Sequence, residues 1–294
     1  MDAACVRGTE GKPVARILIV EDDPQVREVV CTIVKMDGHQ VVSARDGQDA
    51  TEQLQGESFD VIISDVWMPR MNGMELLGHV QAHQLPSRFI IMTGDNTPEI
   101  VLDAVRNQAY GYLRKPFEPN QLLVLLRSAL DAPSTLAPIE VISSTPEWVE
   151  LVLPCSLEVA DRIGSFMDQL KTDLSGEVRE AVGKVFRELL LNAIEWGGHF
   201  DPKRKVRVAY LRTPRMLLYR IADPGGGFKF ENLDHAAVNN PPDQPTGHLR
   251  VRAEKGIRPG GFGIFLARQL VDDLLYNEAK NEVVFIKYLN DKAY

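Results

Sequence analysis

The stretch Arg16-Ile17-Leu18-Ile19-Val20-Glu21-Asp22-Asp23-Pro24 determines how the first part of the chain folds. Four consecutive apolar residues, Ile17 to Val20, are typical of a strand that is buried on both faces of a parallel sheet. Three acidic residues follow directly, and Pro24 stands where a helix can begin without losing a hydrogen bond. The stretch therefore predicts a strand, a polar turn and a helix.

The same alternation recurs along the first 131 residues. Short apolar runs are separated by helical patterns, as in Val26, Val29, Val30, Ile33 and Val34. The further runs are Val41–Val42, Val61–Ser64, Phe89–Met92 and Tyr110–Leu113. Five such units predict an α/β domain with a doubly wound, five-stranded parallel sheet over residues 14–131.

Polar residues follow several of these strands at the point where each strand ends. Glu21 and Asp22 follow the first strand, Asp65 ends the third, Thr93 ends the fourth and Lys115 follows the fifth. The carboxyl ends of parallel strands share one edge, so these side chains should lie close together. Clustered carboxylates suit Mg²⁺, and a hydroxyl and an ammonium beside them can hold phosphoryl oxygens. Asp65 is then a carboxylate nucleophile that accepts a phosphoryl group.

Four separated motifs, RILIVEDDP, SDVWMPRMNG, IIMTG and YLRKPF, resemble the response-regulator receiver domain of two-component signalling. The resemblance implies a flavodoxin-like fold, a histidine kinase as partner and a cis Lys115–Pro116 bond. It also implies a role for each matching residue: phosphoacceptor Asp65, acidic metal pair Glu21 and Asp22 beside Asp65, switch hydroxyl Thr93, phosphate-contacting Lys115 and switch aromatic Tyr112. Gly94 departs from the usual alanine and should leave the phosphate pocket open.

The second part of the chain has a different order of elements. Residues 132–146 are rich in proline, serine and threonine and are predicted to be a linker. Residues 147–294 show a strand, two helices ending near Trp196, two strands, a long loop over 224–259, a helix and two closing strands. Helices grouped with a mostly antiparallel sheet predict an α+β sandwich.

Three segments of this second part carry a candidate nucleotide site. Glu188 and Asn192 are four residues apart, and thus share one face of a helix. Asp223 ends a strand and precedes a run of three glycines, in which close approach of a ligand to the backbone is allowed. Gly260, Gly261 and Gly263 precede a helix whose N-terminal amides can bind phosphate.

This order of segments resembles the GHKL-type, histidine-kinase-like ATPases, and most closely their anti-sigma factor serine/threonine kinase branch. The resemblance implies ATP and Mg²⁺ as cofactors, an anti-sigma-factor antagonist as substrate, a sigma factor as further partner, and a homodimer. The implied roles are Mg²⁺ ligand for Asn192, assistance to phosphoryl transfer for Glu188, adenine recognition for Asp223, shaping of the adenine pocket for Gly225 and Gly227, and phosphate contact for Gly261 and Gly263. Trp196 stands where the family often has histidine.

Two functions remain open at this point. In the first, phosphorylation of Asp65 controls a protein kinase that acts on the antagonist. In the second, the same phosphorylation controls an ATP-binding module that sequesters a partner and transfers nothing. A hybrid histidine kinase is disfavoured, since no histidine precedes the ATPase segment in the required helical context.

Composition limits the remaining classes. The chain of 294 residues is 44% hydrophobic and 25% charged, which excludes a disordered or disulfide-scaffold protein. The net charge is -8, and the first 131 residues carry 12 basic and 19 acidic residues, so no nucleic-acid binding is expected. Three scattered cysteines and the lack of an 18-residue apolar run predict a cytoplasmic protein without membrane contact.

Overall fold

The structure is a computed structural model of the chain. It describes residues 14–94, 97–133, 137–145, 147–171, 173–229, 236–237, 244, 246–254 and 261–289. The chain divides into two compact units. None of the helices within the described ranges is long and apolar enough to cross a bilayer.

The first unit contains the predicted five-stranded parallel sheet, in the order β2-β1-β3-β4-β5. Its strands are β1 Arg16–Val20, β2 Gln40–Ala44, β3 Val61–Asp65, β4 Arg88–Thr93 and β5 Gly111–Arg114. The helices between and after them are α1 Pro24–Met36, α2 Gly47–Gly56, α3 Gly73–Ala82, α4 Pro98–Arg106 and α5 Pro119–Asp131. The doubly wound fold is thus confirmed, and β3 is buried throughout.

Local sequence explains where these helices begin. Pro24, Pro98 and Pro119 are each the first residue of a helix, as predicted. The side chain of Asp23 accepts hydrogen bonds from the backbone N–H groups of Gln25 and Val26. An aspartate at this position satisfies donors that the helix itself leaves unpaired. The turn after β1 is therefore fixed, and with it the acidic residues that it carries.

The second unit contains a six-stranded sheet in the order β10-β11-β9-β8-β7-β6, in which every described pairing is antiparallel. The strands are β6 Glu140–Ser144, β7 Trp148–Pro154, β8 Lys205–Arg212, β9 Met216–Ala222, β10 Asp273–Tyr276 and β11 Glu282–Tyr288. The helices are α6 Leu157–Gln169, α7 Gly176–Asn192, α8 Gly247–Glu254 and α9 Gly263–Leu270. A π-helical turn, Ala193–Gly197, extends α7. The α+β architecture is confirmed.

Aromatic side chains form the centre of this second core. Tyr219 on β9 stacks on Phe285 of β11, with ring centroids 4.8 Å apart. Tyr210 and Phe186 lie 5.0 and 5.2 Å from the same ring. Offset and tilted contacts of this kind add to the free energy gained by burying the rings. They anchor α7 on the sheet and so position the residues at the C-terminal end of that helix.

Two predictions of irregular structure were wrong in part. Strand β6 lies inside residues 132–146, which were predicted to be a linker throughout. The prolines that disfavour a strand, Pro133, Pro138 and Pro146, lie on either side of Glu140–Ser144, which pairs with β7. Helix α8 lies inside the loop predicted over 224–259, of which most other residues fall outside the described ranges.

Helix α4 groups with the second unit, which comprises residues 97–108 and the described residues from 137 onward. It contacts β6 and α6. The side-chain amide of Gln108 donates to the carbonyl of Ile139 at 2.9 Å and accepts from its N–H at 3.0 Å. The compact units therefore differ from the predicted domains, which assign α4 to residues 14–131.

Candidate functional site

The first candidate site lies at the carboxyl edge of the parallel sheet. Glu21 and Asp22 follow β1, and Asp65 is the last residue of β3. Each offers a carboxylate oxygen, and these three oxygens lie within 4.8 Å of one another. Glu21 is almost fully buried, whereas Asp22 is exposed. This set of hard oxygen donors, with one open side, suits Mg²⁺ with some of its waters retained.

Lys115 supplies a cation to the same cluster. Its Nζ atom donates to Oε2 of Glu21 and to Oδ2 of Asp65, each at 2.7 Å. Burial raises the pKa of Glu21, and the hydrogen bond from Lys115 opposes that rise. Burial alone lowers the pKa of Lys115, but the hydrogen bonds to Asp65 and Glu21 outweigh it and raise the pKa above its usual value. The lysine is therefore charged at neutral pH.

Thr93 and Tyr112 lie on neighbouring strands beside this cluster. Thr93 is fully buried at the end of β4, and its carbonyl accepts a hydrogen bond from the N–H of Lys115 at 2.8 Å. Tyr112 pairs in register with Ile91. Because Ile91 and Thr93 are two residues apart, Tyr112 and Thr93 lie on the same face of the sheet. Their roles as switch hydroxyl and switch aromatic stay predictions.

Two backbone features of this site were not predicted. The N–H of Val66 donates to Oδ1 of Asp65 at 2.6 Å, which leaves Oδ2 toward Lys115. Gly73 packs so tightly that a Cβ atom there would lie 1.9 Å from the carbonyl oxygen of Asp65. The glycine in the motif MNG was a visible signal, but its contact with Asp65 depends on the folded turn. By contrast, a Cβ at Gly94 would meet no atom within 4 Å, as expected for an open pocket.

The second candidate site is a cavity of about 380 Å³ in the second unit. Predicted residues that line it are Asn192, Asp223, Gly227, Gly261 and Gly263. Glu188 and Gly225 are not among its lining residues. Glu188 nevertheless lies next to it, since a Cβ at Gly263 would be 3.1 Å from its Oε2 atom and 3.0 Å from Nδ2 of Asn192. The glycine thus lets the N-terminal end of α9 approach both side chains of α7.

Asp223 forms one end of the cavity. Its Oδ1 atom accepts a hydrogen bond from the N–H of Gly225 at 2.7 Å. Burial raises the pKa of Asp223, while the Gly225 hydrogen bond and the charge of Arg204 oppose the rise. With Oδ1 engaged, Oδ2 can accept a hydrogen bond from an amine.

The glycines after Asp223 bring the loop against the β10–β11 turn. Gly227 has a φ of +80°, and a Cβ there would lie 1.7 Å from the carbonyl oxygen of Ala279. The Nδ2 group of Asn281 donates to the carbonyl of Gly225 at 3.0 Å. Gly261 also has a positive φ, of 92°. At Gly227 and Gly261, a side chain would strain the backbone.

Several residues of the cavity were not predicted. They comprise three cations and three aromatic residues: Lys229, Arg252, Lys280, Trp196, Phe228 and Tyr276. Phe228 and Tyr276 meet edge to face with centroids 5.6 Å apart, and burial raises the pKa of Tyr276 to about 12. Phe228 directly follows the glycine run, which was a usable signal. Arg252 is buried on α8, in a stretch whose mixed composition gave no such signal.

Two family models match the chain, and the first of them includes α4. Residues 17–127 match the family model of the response regulator receiver domain. Residues 144–287 match the model of the histidine kinase-like ATPase domain. Each match contains one of the two candidate sites.

Individual relatives cover only part of the chain. The regulatory protein AtoC of Escherichia coli is 27% identical over 210 residues, which is 69% of this chain and 44% of that protein. The transcriptional regulatory protein FixJ of Bradyrhizobium diazoefficiens is 33% identical over 114 residues, 39% of this chain and 56% of that protein. The chain thus spans about half the length of these curated relatives. Among solved structures, the chemotaxis response regulator CheY4 of Vibrio cholerae is 34% identical, covers 40% of this chain and 100% of its own, and has a TM-score of 0.38.

Proposed function

Because the chain joins a response regulator receiver domain to a histidine kinase-like ATPase domain, we propose that phosphorylation of Asp65 controls an ATP-dependent serine/threonine protein kinase. Its substrate is an anti-sigma-factor antagonist. The observation that carries the proposal is the presence of two candidate sites on one chain, a carboxylate cluster with Lys115 and a cavity lined by Asn192 and Asp223. The resemblance of the sequence supports the kinase class and the antagonist substrate. Labelling of candidate antagonists with ATP tests both.

In the first site, an Oδ atom of Asp65 attacks the phosphorus of a phosphohistidine on the cognate histidine kinase. The P–N bond breaks, a P–O bond forms, and the imidazole nitrogen takes up a proton. Glu21, Asp22 and Asp65 would hold Mg²⁺, which would supply positive charge that offsets the charge of the phosphoryl oxygens. Lys115 stays on Oδ2 and neutralises further charge, and the Thr93 hydroxyl donates to a phosphoryl oxygen.

In the second site, Oδ2 of Asp223 accepts a hydrogen bond from the adenine amine. Asn192 contributes an oxygen ligand to the Mg²⁺ that accompanies ATP, and the N-terminal amides of α9 contact the phosphates. Lys229, Arg252 and Lys280 line the same cavity and offset the charge of the triphosphate. Glu188, adjacent to Gly263, orients the attacking hydroxyl of the substrate.

Contacts inside each unit support control of one site by the other. Arg88 begins β4, the strand that ends at Thr93, and donates to the carbonyls of Ala132 and Pro133 at 2.7 Å. Helix α4, the next helix after Thr93, is held within the second unit by Gln108. A shift of β4 or α4 on phosphorylation would thus reach the segments that lead to β6.

A second candidate function is nucleotide-dependent sequestration of a partner without phosphoryl transfer. It is favoured by the position of Glu188, which is not among the lining residues of the cavity. A carboxylate outside the cavity can support binding without acting on a hydroxyl.

The two functions are distinguished with the full chain, labelled ATP and candidate antagonist proteins. Protein kinase activity places label on a serine or threonine of the antagonist. Glu188→Gln should abolish this label and leave ATP binding intact, whereas Asn192→Ala should abolish both. If the wild-type chain binds ATP and partner but no label reaches the antagonist, the kinase assignment is wrong and sequestration is retained.

A further inference from the structure

The π-helical turn Ala193–Gly197 changes the direction of the chain directly after Asn192. Its hydrogen bond runs from the N–H of Gly198 to the carbonyl of Ala193, five residues back, at 2.9 Å. Such turns insert one residue into a helix and often occur at functional sites. The turn places Trp196 on the cavity and brings the backbone of Gly197 against Asp223.

The side chain of Asp223 fills the space that a side chain at residue 197 would need. A Cβ atom at Gly197 would lie 2.2 Å from Oδ1, 2.3 Å from Cγ and 2.4 Å from Cβ of Asp223. All three atoms belong to the side chain of Asp223. This side chain cannot move away without breaking the hydrogen bond that Oδ1 accepts from the N–H of Gly225, at 2.7 Å. Asp223 therefore occupies the space where any other residue 197 would carry its side chain.

Gly225 packs against Gly197 beside the same carboxylate. A Cβ at Gly225 would lie 2.8 Å from Oδ1 of Asp223 and 3.0 Å from the Cα of Gly197. Two glycine backbones thus contact Asp223, and the Gly225 N–H holds its Oδ1 atom while Oδ2 is left for a ligand. An ionised carboxylate in this position accepts a hydrogen bond from a 6-amino group and repels a 6-oxo group.

From this geometry we infer that Gly197 is a specificity-determining residue, whose missing side chain sets the position of Asp223 and thereby selects a 6-aminopurine over a 6-oxopurine nucleotide. The inference rests on the proposed function, because it takes the cavity as the ATP site. Gly197 is a positioning residue: it acts through Asp223 and need not touch the base.

The test measures binding of ATP, inosine triphosphate and inorganic tripolyphosphate to the full chain by calorimetry in Mg²⁺. The wild-type chain should prefer ATP over inosine triphosphate by about tenfold or more, the range expected when a buried polar group loses its partner. Gly197→Ala should remove most of this preference and leave tripolyphosphate affinity unchanged. Gly164→Ala on α6 is the matched control, since a Cβ there meets no atom within 4 Å, and it should behave as the wild type.

Other outcomes would contradict either the inference alone or the proposed function as well. If Gly197→Ala keeps the wild-type preference, or weakens tripolyphosphate as much as ATP, the inference is wrong while the proposed function stands. If the wild-type chain binds no nucleotide, the proposed function fails and the inference with it.

If Gly197→Ala does not fold, the substitution is tested together with Asp223→Gly. The second substitution removes all three clashing atoms. That double variant should fold and should match Asp223→Gly alone in its affinities for all three compounds. A double variant that still fails to fold, or binds differently from Asp223→Gly, overturns the inference.

Discussion

The Nζ atom of Lys115 lies 2.7 Å from Oδ2 of Asp65 and equally close to Oε2 of Glu21. One ammonium group is therefore shared by two of the three carboxylates proposed as metal ligands. An ammonium and a divalent cation that approach the same oxygens repel each other. Lys115 thus limits how tightly the site can bind Mg²⁺ before a phosphoryl group arrives.

Lys115→Gln should consequently raise Mg²⁺ affinity by about tenfold or more, since removing a nearby positive charge at an effective dielectric constant of about 20 changes the binding free energy by at least about 1.4 kcal/mol. Trp67, two residues after Asp65 and largely exposed, provides a fluorescence signal for the titration. Lys35→Gln on α1 removes an exposed lysine and serves as the control. Unchanged or weaker Mg²⁺ binding in Lys115→Gln would contradict the competition.

Asp65→Asn should abolish uptake of a phosphoryl group from a small-molecule donor such as acetyl phosphate, because an amide oxygen is a poor nucleophile. Intact-mass measurement after incubation with donor and Mg²⁺ shows the adduct directly. Asp60→Asn is the matched control, since Asp60 accepts from the N–H of Arg16 just before β3 begins, at the opposite edge of the sheet. An adduct that persists in Asp65→Asn would place the phosphoacceptor elsewhere.

ATP affinity should decrease on acidification because Asp223 must be ionised to accept from the adenine amine. Burial raises the pKa of this carboxyl, so the loss should begin at a higher pH than an ordinary aspartate would give. Protonation is favoured in the folded state, and binding is therefore lost as pH falls through the raised pKa. Asp223→Asn should bind weakly at all pH values, and calorimetry between pH 7 and pH 5 compares the two curves. A pH profile that is the same in both proteins would exclude Asp223 as the titrating group.

Gln108→Ala should uncouple the two sites. The variant loses both hydrogen bonds to the backbone of Ile139, worth about 1 kcal/mol each. Nucleotide affinity should remain near the wild-type value, but beryllofluoride, which mimics the phosphoryl group on Asp65, should no longer change it. Asn107→Ala is the control, because the side-chain amide of Asn107 donates to the carbonyl of Asp103 at 2.9 Å, one turn earlier in the chain. Retained coupling in Gln108→Ala would show that the signal travels by another route.

The receiver fold and its site could be predicted from sequence because each site residue follows a strand. Asp65 and Lys115 are far apart along the chain, but the parallel topology brings the carboxyl ends of β3 and β5 to one edge. The roles of Gly73 and Gly197 could not be predicted, since each depends on an atom of a residue that only the fold brings within contact distance. A glycine in a motif indicates close approach but not what approaches it.

The second unit also contains residues that the sequence did not predict. Asn192, Asp223 and Gly263 were predicted to meet, and all three line one cavity. Arg252 was missed because α8 has no apolar stripe to mark it as a helix facing a core. Strand β6 was missed because the prolines before it dominated the composition of a short segment.

The position of β6 at the margin of the six-stranded sheet has a practical consequence for anyone producing the C-terminal half alone. A protein that starts at residue 147 would lack β6. The mostly buried strand β7 would then become an exposed edge strand of the sheet. The unpaired backbone N–H and C=O groups of an exposed edge strand can form hydrogen bonds with other chains and cause aggregation. Expression of the isolated half should therefore begin upstream of Ile139, or aggregation will be mistaken for an intrinsic property of this half.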